Sequence, residues 1–421
     1  MKALIIGAGG VGSAIANIAS RRSFLTQVII ADHDKQRAEN AVARLNGDPR
    51  FTAAQVDASQ VQAVEELLRT HRPDVVINAV DPRFVMPIFL ACEYEEVNYV
   101  DMAMSLSKPH PLRPYTEAGV KLGDEQFARD WNWGELGIWA LVGMGVEPGL
   151  SDVFAKYASD HIFSRIDEVK VLDGSNIVVE GYEFAPSFSI WTTIEECLNP
   201  PLVWEDGVGW YTTEPFSEPE VFDFPEGIGP VECVNVEHEE VVLIPRKVDA
   251  RKVTFKYGLG EEFIDILKTI HKLGLDRTDR VDVKGVAVSP RDLLTASLPD
   301  PASLGSRMQG KTCAGALVRG LDKDGKPRAV YIYNVVDNAW SMAEYGDQAV
   351  VWQTAINPVI ALELISEGVW QPDGIMGPEW FDSKPFLDKL AEFGTHWSVR
   401  EEDASDIPLV WPSEDESDSK E

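Results

Sequence analysis

The chain has 421 residues, of which 44% are hydrophobic and 25% charged, and its formal net charge is −31. This length predicts two domains, and the hydrophobic content predicts a packed globular protein. A surface so negative repels phosphate backbones and anionic lipid, so we expect neither a nucleic acid nor a membrane as a partner. The charge would suit cationic substrates or a salt-rich cell, but solubility is the simpler explanation.

The cysteines and histidines predict neither a disulfide framework nor a metal site. The four cysteines form no CxxC pair, and the seven histidines include no HxH or HExxH pattern. Widely spaced, unpaired cysteines fit a reducing cytoplasm, where we expect the protein to reside. We also expect no segment that is long and apolar enough to cross a bilayer.

The first third of the chain alternates between strand and helix patterns. Short apolar strands between amphipathic helices indicate a parallel sheet covered on both faces. We therefore predict an α/β fold that begins with a doubly wound, Rossmann-type, NAD(P)-binding domain over residues 1–145. The predicted strands are 3–6, 27–31, 51–56, 74–79, 99–102 and 138–143, and the predicted helices are one from Val11 and those at 35–45, 61–70, 84–93 and 124–130.

The rest of the chain predicts a second domain and a return to the first. Residues 166–333 are rich in Val, Phe, Trp and Pro, which favours an inserted α+β domain for substrate binding and dimerisation, with a mostly antiparallel sheet, over residues 146–345. A helical segment, 346–400, is predicted to return to the first domain, and the acidic tail 401–421 is predicted to be disordered from residue 413. The predicted elements are strands 231–244 and 253–257 and helices 261–273, 290–298, 348–367 and 385–393.

The segment GAGGVG at 7–12 fits the pattern GxGxxG, follows a predicted strand and opens a helix, the context that makes this pattern informative. Gly7 allows a tight turn, Gly9 lets the backbone approach a diphosphate, and Gly12 lets the helix pack close to the strand. With Gly10 and Val11, these residues are predicted to hold a dinucleotide diphosphate on the helix N-terminus. The alternative is a glycine-rich turn without a ligand.

The end of the second predicted strand indicates which dinucleotide binds. Asp32 lies 20 residues after Gly12, the spacing expected of the acid that binds the adenosine ribose. A carboxylate there accepts hydrogen bonds from the ribose diol and repels a 2′-phosphate, which favours NAD. The cationic side chains that follow at His33, Lys35 and Arg37 leave NADP open.

Two further strand ends are predicted to contact the cofactor. Asp57 and Ala58 follow the third strand and are placed at the adenine edge. Ala79 and Val80 follow the fourth strand, at the carboxyl edge where such sheets bind ligands. The alternative role for Asp57 is that of a helix N-cap.

Several motifs resemble the saccharopine dehydrogenase-like family. They are GAGGVG at 7–12, DVVINA at 74–79, YVDM at 99–102 and GMGVEPGLSDVF at 143–154. Other motifs resemble the carboxynorspermidine dehydrogenase branch of that family: VEHEEV at 236–241, LPDP at 298–301, GKTC at 310–313 and the segment 348–364. The resemblance covers about residues 1–400. It implies an NAD(P)-dependent oxidoreductase that acts by hydride transfer on the C–N bond of an amino acid or of a polyamine-derived secondary amine.

Several functions stay open within and beyond this resemblance. One is a carboxynorspermidine or carboxyspermidine dehydrogenase, and another is an amine dehydrogenase of the lysine 6-dehydrogenase type, which releases ammonia. A non-catalytic NAD-binding sensor is the hypothesis from a different class. In each case the partner is a small-molecule amino acid or amine, and a homodimer is expected.

His238 and Glu240 are the predicted catalytic residues. If 231–244 is a strand, alternation places both side chains on one otherwise apolar face, where a histidine and a carboxylate need a partner or a purpose. The resemblance implies that a histidine followed by acidic residues lies in the substrate pocket. The alternative is an exposed turn at residues 237–240.

The substrate is predicted to meet Asp101, Glu147, Pro148 and Gly149. The last three follow the final Rossmann strand and precede a helix, where backbone N–H groups can approach a cofactor or a carboxylate. Asp101 ends the fifth strand at the same edge, in a region that the resemblance assigns to the substrate. An interdomain hinge at 147–149 and a helix-capping role for Asp101 are the alternatives.

Overall fold

A computed structural model describes residues 1–186 and 188–409 of the chain. Strands and helices alternate regularly through the first part. They are β1 (Lys2–Ile6), α1 (Gly10–Ser20), β2 (Gln27–Asp32), α2 (Lys35–Ala43), β3 (Phe51–Gln55), α3 (Val61–His71), β4 (Val75–Asn78), α4 (Val85–Tyr94), β5 (Asn98–Asp101), α5 (Asp124–Phe127), α6 (Asp130–Leu136), β6 (Trp139–Leu141) and α7 (Leu150–Tyr157).

The second part contains most of the strands. They and the helices between them are β7 (Phe163–Ser175), β8 (Val178–Val179), α8 (Ile190–Leu198), β9 (Leu202–Glu205), β10 (Gly209–Thr212), β11 (Glu220–Phe224), β12 (Gly229–Asn235), α9 (Glu240–Leu243), β13 (Ala250–Gly258), α10 (Glu261–Lys272), β14 (Val281–Val283), β15 (Val286–Val288), α11 (Pro290–Ser297), β16 (Met308–Gln309), β17 (Lys311–Asp322) and β18 (Pro327–Asp337). The last elements are α12 (Asn338–Glu344), α13 (Ala349–Ser366), β19 (Gly374–Met376), α14 (Ser383–Glu392) and β20 (Trp397–Glu402).

The first sheet has seven parallel strands in the order β3–β2–β1–β4–β5–β6–β19. Its central strands are apolar on both faces because helices cover both, and residues 3–6 of β1 are at most 1% exposed. The strand order reverses beside β1, which is the switch point where such sheets bind ligands. The predicted doubly wound Rossmann sheet is confirmed.

The second sheet has nine strands, with the main order β10–β9–β13–β7–β17–β18–β20 and with β11 and β12 attached through β13. Only the pair β13 and β7 runs parallel, and every other pair is antiparallel. The predicted mostly antiparallel second sheet is therefore confirmed. Two short strand pairs, β14–β15 and β8–β16, form separate two-stranded sheets outside it.

The predicted strand 231–244 is wrong beyond its first half. β12 ends at Asn235, and after a short turn the chain forms the helix α9. Residues 234–244 are all buried, so the segment has no polar face from which to read its period. A short apolar run of this kind cannot be assigned to strand or helix by periodicity. The predicted helix 124–130 is likewise two short helices, α5 and α6.

The segment 346–400 is not helical throughout, because it adds one strand to each sheet. β19 extends the parallel sheet beside β6, and β20 pairs with β18 in the mixed sheet. Its long helix α13 packs against α1 of the Rossmann domain. The acidic tail is described only to residue 409, so the disorder predicted from residue 413 lies outside the described residues.

The expectation that no segment is long and apolar enough to cross a bilayer needs correction. α13 meets both criteria, with 18 residues and a mean hydropathy of 1.4. However, 83% of that stretch is buried inside the protein, as in the core helix of a soluble protein. Its apolar surface is satisfied by protein contacts rather than by lipid.

Candidate active site

The glycine loop between β1 and α1 has two glycines that the fold requires and one that it does not. A Cβ added to Gly7, whose φ is +108°, would lie 2.4 Å from the carbonyl oxygen of Ala79, and one added to Gly12 would lie 1.9 Å from that of Gly7. A Cβ on Gly9 would meet nothing within 4 Å. The space beside Gly9 is therefore open, at a helix N-terminus whose first N–H groups have no intrahelical partner. These features fit a dinucleotide diphosphate.

Asp32 anchors this loop to the end of β2. Its carboxylate accepts hydrogen bonds from the Ala8 N–H at 2.8 Å and from the Asp34 N–H at 2.9 Å, and the residue is only 5% exposed. These two hydrogen bonds hold the carboxylate in place at the edge of the sheet, beside the loop. His33 lies 3.0 Å from the same carboxylate, and the side chain of Arg37 is exposed nearby.

The remaining predicted cofactor contacts fall in two groups. Ala79 and Val80, directly after β4, line the central cleft described below. Asp57 is exposed and accepts hydrogen bonds from the N–H and hydroxyl of Ser59, which lower the pKa of its carboxyl group. It does not cap α3, whose N-cap residue is Gln60. The contacts of Asp57 and Ala58 with an adenine stay a prediction.

A cleft of about 580 Å³ connects the glycine loop with the second domain. The edge of the Rossmann sheet forms one end, and β7, β13, α8 and the turn before α9 supply the other. Predicted site residues that are far apart in the sequence thus line the same cavity. Its lining includes Gly10, Val11, Ala79, Val80, Glu147, Pro148, Asp173, Glu196, His238, Glu239, Tyr257 and Gln348.

The lining is strongly acidic. None of the described residues that line the cleft is a lysine or an arginine, and His238 is the only histidine among them. Low-dielectric walls of one charge sign focus the potential inside a cleft. The part of the cleft around Asp173, Glu196 and Glu239 therefore favours a cationic group. The six acidic side chains in the lining are Asp81, Glu147, Asp173, Glu196, Glu239 and Asp300.

His238 lies in the turn between β12 and α9 and is 4% exposed. Its ring stacks on Phe255, with centroids 3.9 Å apart, and its Nδ1 lies 2.5 Å from Oε2 of Glu240. Burial would lower the pKa of His238, but Glu240 and two further carboxylates outweigh burial and hold that pKa well above its usual value. Because Nδ1 is occupied, Nε2 is the nitrogen left for a ligand, and the raised pKa favours the protonated ring.

Glu240 contacts His238 and does not line the cleft. It is fully buried at the first turn of α9, it is not among the lining residues, and its Oε1 has no hydrogen-bond partner among the described residues. The alternative of an exposed turn at residues 237–240 is wrong, since all four residues are buried. The pairing assumed from strand alternation exists, but a turn and a helix start produce it.

His238, Glu239 and Glu240 also have ligand atoms within 4.8 Å of one another, close enough to surround an ion. The 2.5 Å contact between His238 and Glu240 is a direct hydrogen bond, however. Two atoms that each lie about 2.1 Å from a shared metal are separated by roughly 3 Å or more. Glu239 is engaged as well, because it accepts a hydrogen bond from the Met104 N–H at 3.1 Å. The arrangement fits an oriented histidine better than a metal centre.

Glu147, Pro148 and Gly149 form the turn between β6 and α7. Glu147 and Pro148 line the cleft, and Oε1 of Glu147 accepts a hydrogen bond from the Ser151 hydroxyl at 2.8 Å. Burial, together with the charges of Asp173 and Glu240, raises the pKa of Glu147 well above its usual value. Gly149 has a φ of +132°, and an added Cβ would lie 2.2 Å from a backbone oxygen, so it shapes the turn.

Asp101 lies behind the cleft. It is 1% exposed, and its two oxygens accept hydrogen bonds from the Gly143 N–H at 2.7 Å and from the Gln126 side chain at 2.8 Å. These bonds tie the ends of β5 and β6 to α5. The substrate contact of Asp101 stays a prediction, and its bonds favour a structural role. Burial raises the pKa of its carboxyl group to about 7.

Several cleft residues were absent from the predicted site, among them two acids. Asp173, near the end of β7, and Glu196, on α8, both line the cavity close to His238. Burial raises the pKa of Asp173 to about 7 and that of Glu196 to about 8. The strand β7 also carries Asp167, Glu168 and Lys170, so the sequence gave no signal that singled out Asp173. Glu196 sits in an ordinary amphipathic helix pattern and gave none.

Comparisons with known proteins match both parts of the chain. Residues 3–141 match the saccharopine dehydrogenase NADP binding domain, and residues 145–395 match the saccharopine dehydrogenase C-terminal domain. Carboxyaminopropylagmatine dehydrogenase of Synechocystis sp. is 30% identical over 403 residues, 94% of this chain and 96% of the relative. Carboxynorspermidine synthase of Vibrio cholerae is 30% identical over 410 residues, 95% of this chain and 97% of the relative.

The fold has a counterpart among solved structures. The apo form of saccharopine dehydrogenase (L-Glu forming) from Saccharomyces cerevisiae superposes with a TM-score of 0.69 at 13% identity, covering 96% of this chain and all of that one. At this identity the likeness concerns the fold alone.

A dinucleotide-type glycine loop that opens into a cleft shared with a second, mixed-sheet domain defines a nicotinamide-dependent oxidoreductase. Since family models match nearly the whole chain, the protein belongs to the saccharopine dehydrogenase family. It is an NAD(P)-dependent enzyme that acts on a carbon–nitrogen bond, as the resemblance implied.

Proposed function

We propose that this enzyme joins an amine to an aldehyde that carries an amino acid group, and reduces the resulting C=N bond to give a carboxylated polyamine. The observation that carries the proposal is the lining of the cleft, which has six carboxyl side chains and neither lysine nor arginine among its described residues. A substrate with several carboxylates needs arginines to hold them, whereas an alkylammonium needs carboxylates. The names of the 30% identical relatives, which include a polyamine or agmatine part, support the same class.

His238 fits the proton transfers that this reaction requires. Attack of the amine on the aldehyde gives a carbinolamine, whose hydroxyl must take a proton before it leaves as water. His238 lines the cleft with its Nδ1 engaged by Glu240, so Nε2 is the nitrogen available to give this proton, and Glu240 fixes the ring and stabilises the imidazolium. A bound nicotinamide cofactor supplies the hydride that reduces the C=N carbon.

We propose NAD(H) as the preferred cofactor. The fixed negative charge of Asp32 at the end of β2 would repel a 2′-phosphate and accept hydrogen bonds from a ribose diol. The KM values for NADH and NADPH, measured with one amine and aldehyde pair, test this preference. A lower KM for NADPH would contradict it.

A screen of NADH oxidation tests the proposed reaction. Its arms are diamines or agmatine with aspartate semialdehyde, lysine with 2-oxoglutarate, and glutamate with aminoadipate semialdehyde. We expect turnover only in the first arm, with a secondary amine as product. Turnover only in the lysine or glutamate arms, or release of ammonia from a free amine, would assign the enzyme to another member of the class.

The assembly, the compartment and the domain boundaries belong to the same proposal. We infer a cytoplasmic enzyme, supported by four buried cysteines that carry no disulfide.

A homodimer built on the second domain is supported by exposed valines on its strands, such as Val178 and Val221. Division near residue 145 is supported by the change of sheet after α7. Sedimentation equilibrium tests the dimer, and a monomer at micromolar concentration would contradict it.

A further inference from the structure

The two residues that flank His238 are both hydrogen-bonded to the part of the chain that follows the parallel sheet. The Met104 N–H donates to Oε1 of Glu239 at 3.1 Å, and the Ser107 hydroxyl donates to Oε2 of Glu237 at 2.8 Å. Met104 and Ser107 come after β5 of the parallel sheet, whereas the turn that carries His238 comes after β12 of the mixed sheet. Glu237 and Glu239 are buried, so water competes little with these bonds. The turn is therefore held from the opposite domain on both sides of the histidine.

The loop 102–107, which supplies these two donors, is itself held to the parallel sheet. The Ser105 N–H donates a hydrogen bond to Oε1 of Gln126 at 2.7 Å, and the Gln126 side chain donates one to Asp101 at 2.8 Å. Asp101 also accepts a hydrogen bond from the Gly143 N–H at 2.7 Å. Ser105, Gln126 and Asp101 are all buried. A continuous series of buried hydrogen bonds thus connects the ends of β5 and β6 with the loop.

The loop 102–107 also borders the nucleotide end of the cleft. Met102 and Ala103 line the cavity, as do the predicted cofactor contacts that follow the neighbouring strand β4. A group that transfers a proton has to be held to within about 0.5 Å of its productive position, and a misplacement of 1 Å can lower the rate about 100-fold. The loop connects the cofactor edge of the sheet with the turn of His238, so it can set the distance between them.

We propose that the loop 102–107 positions His238 for proton transfer, and that Ser107 and Glu237 are positioning residues in this step. The inference rests on the proposed function, since it takes His238 as the acid. Neither Ser107 nor Glu237 lines the cleft, so both would act through the histidine and not on the substrate. Oε2 of Glu237 also accepts a hydrogen bond from the Asn199 side chain at 3.0 Å, which leaves the carboxylate with one donor when the Ser107 hydroxyl is removed.

Steady-state kinetics of the full chain with 1,3-diaminopropane, aspartate semialdehyde and NADH test the proposal. In Ser107→Ala we expect kcat to fall about 10-fold with an unchanged KM for NADH, because the acid is displaced and the cofactor site is not. Ser107→Thr keeps the hydroxyl and should restore most of kcat. The matched control is Ser405→Ala, which removes an exposed hydroxyl that donates to Asp403 at 3.0 Å and should behave like the wild type.

A double-mutant cycle distinguishes positioning from a general loss of structure. In a His238→Gln background, Ser107→Ala should lower kcat by less than about 2-fold, because the group that it positions is already absent. A fall of about 10-fold in both backgrounds, or wild-type kcat in Ser107→Ala, overturns the proposal. If Ser107→Ala fails to fold, as judged by thermal melting, Ser107→Cys, which is of similar size and a weak donor, takes its place with the same expectations.

Hydrogen exchange measured by mass spectrometry separates this inference from the proposed function. In Ser107→Ala, the amides of residues 236–243 should exchange at least about 3-fold faster than in the wild type, whereas Ser405→Ala should leave them unchanged. Unchanged exchange in Ser107→Ala overturns the positioning role even where turnover is found. Faster exchange without turnover of any amine and aldehyde pair leaves the positioning of the turn standing and removes the proposed function.

Discussion

The two ends of the cleft are built from different parts of the chain. The nucleotide end uses backbone: a glycine loop, a helix N-terminus and one carboxylate that anchors them. The substrate end uses side chains, among them Glu147, Asp173 and His238, which come from separate elements. A backbone site tolerates only the residues that its conformation allows, whereas a side-chain site depends on charge and protonation. Substitutions at the two ends should therefore fail in different ways.

The largest effect is expected at the substrate end. His238→Gln removes the group proposed to protonate the leaving hydroxyl, so kcat should fall by about 10²–10⁴-fold with little change in the KM for NADH. Steady-state kinetics of NADH oxidation measure this split. The control is His271→Gln, which replaces an exposed histidine and should leave both kcat and KM unchanged. A His238→Gln variant with wild-type turnover would show that His238 does not transfer this proton.

Glu240→Gln should give a smaller loss that has a signature in the pH profile. Glu240 keeps the pKa of His238 high against the opposing effect of burial, so its neutralisation should lower that pKa. Because His238 is proposed to act as an acid, the alkaline limb of the kcat profile should move to lower pH, and kcat at pH 8 should fall by about 10–100-fold. An alkaline limb that stays in place would show that Glu240 is not the group that tunes His238.

At the nucleotide end, two alanine substitutions should separate folding from binding. Gly12→Ala places a Cβ against the Gly7 carbonyl and should lower the melting temperature, while Gly9→Ala meets no protein atom and should leave it unchanged. Gly9→Ala should nevertheless weaken NADH binding about 10-fold or more, because the added methyl occupies the space for the diphosphate. Fluorescence titration with NADH measures the binding. Unchanged affinity in Gly9→Ala would argue against a diphosphate beside that residue.

The smallest effect is a global one that belongs to the substrate end and its surroundings. Buried groups with a raised pKa bind more protons in the folded than in the unfolded chain, so stability is lost as pH rises through their folded-state pKa values. Urea unfolding should give a free energy lower at pH 8.5 than at pH 5.5 by at least about 2 kcal/mol. The groups concerned are Asp101, Asp173, Glu196, Glu237, Glu379 and His238.

A single variant sharpens this comparison. Neither carboxyl oxygen of Glu379 has a hydrogen-bond partner among the described residues, so Glu379→Gln fits the same space without a titrating group. The variant should lose part of the pH dependence and keep its stability at pH 5.5. A free energy of unfolding that rises between pH 5.5 and pH 8.5 in the wild type would contradict the assigned directions.

The same contrast explains what the sequence could predict. The glycine spacing and the short apolar strands of the first sheet are local signals, because a turn conformation and a buried parallel strand each impose a pattern on neighbouring residues. The family resemblance also rests on such local motifs. The predicted division between a parallel and a mostly antiparallel sheet followed from them.

The substrate end escaped prediction because tertiary folding assembles it. Asp173 and Glu196 become parts of the site only because β7 and α8 lie close to His238 in the folded chain. The segment 231–244 misled because its second half is buried on all sides and has no readable period. The predicted contact between His238 and Glu240 exists, although the predicted secondary structure was wrong. A turn into α9, and not a strand, brings the two side chains together.

The central claim is that this acidic cleft reduces a C=N bond formed from an amine and an aldehyde. The most direct measurement is mass spectrometry of the product formed from 1,3-diaminopropane, aspartate semialdehyde and NADH deuterated at the transferred position of C4. The account predicts a secondary amine that carries one deuterium, on a carbon bonded to nitrogen. Deuterium in an alcohol, or no secondary amine with any diamine or agmatine, would contradict it.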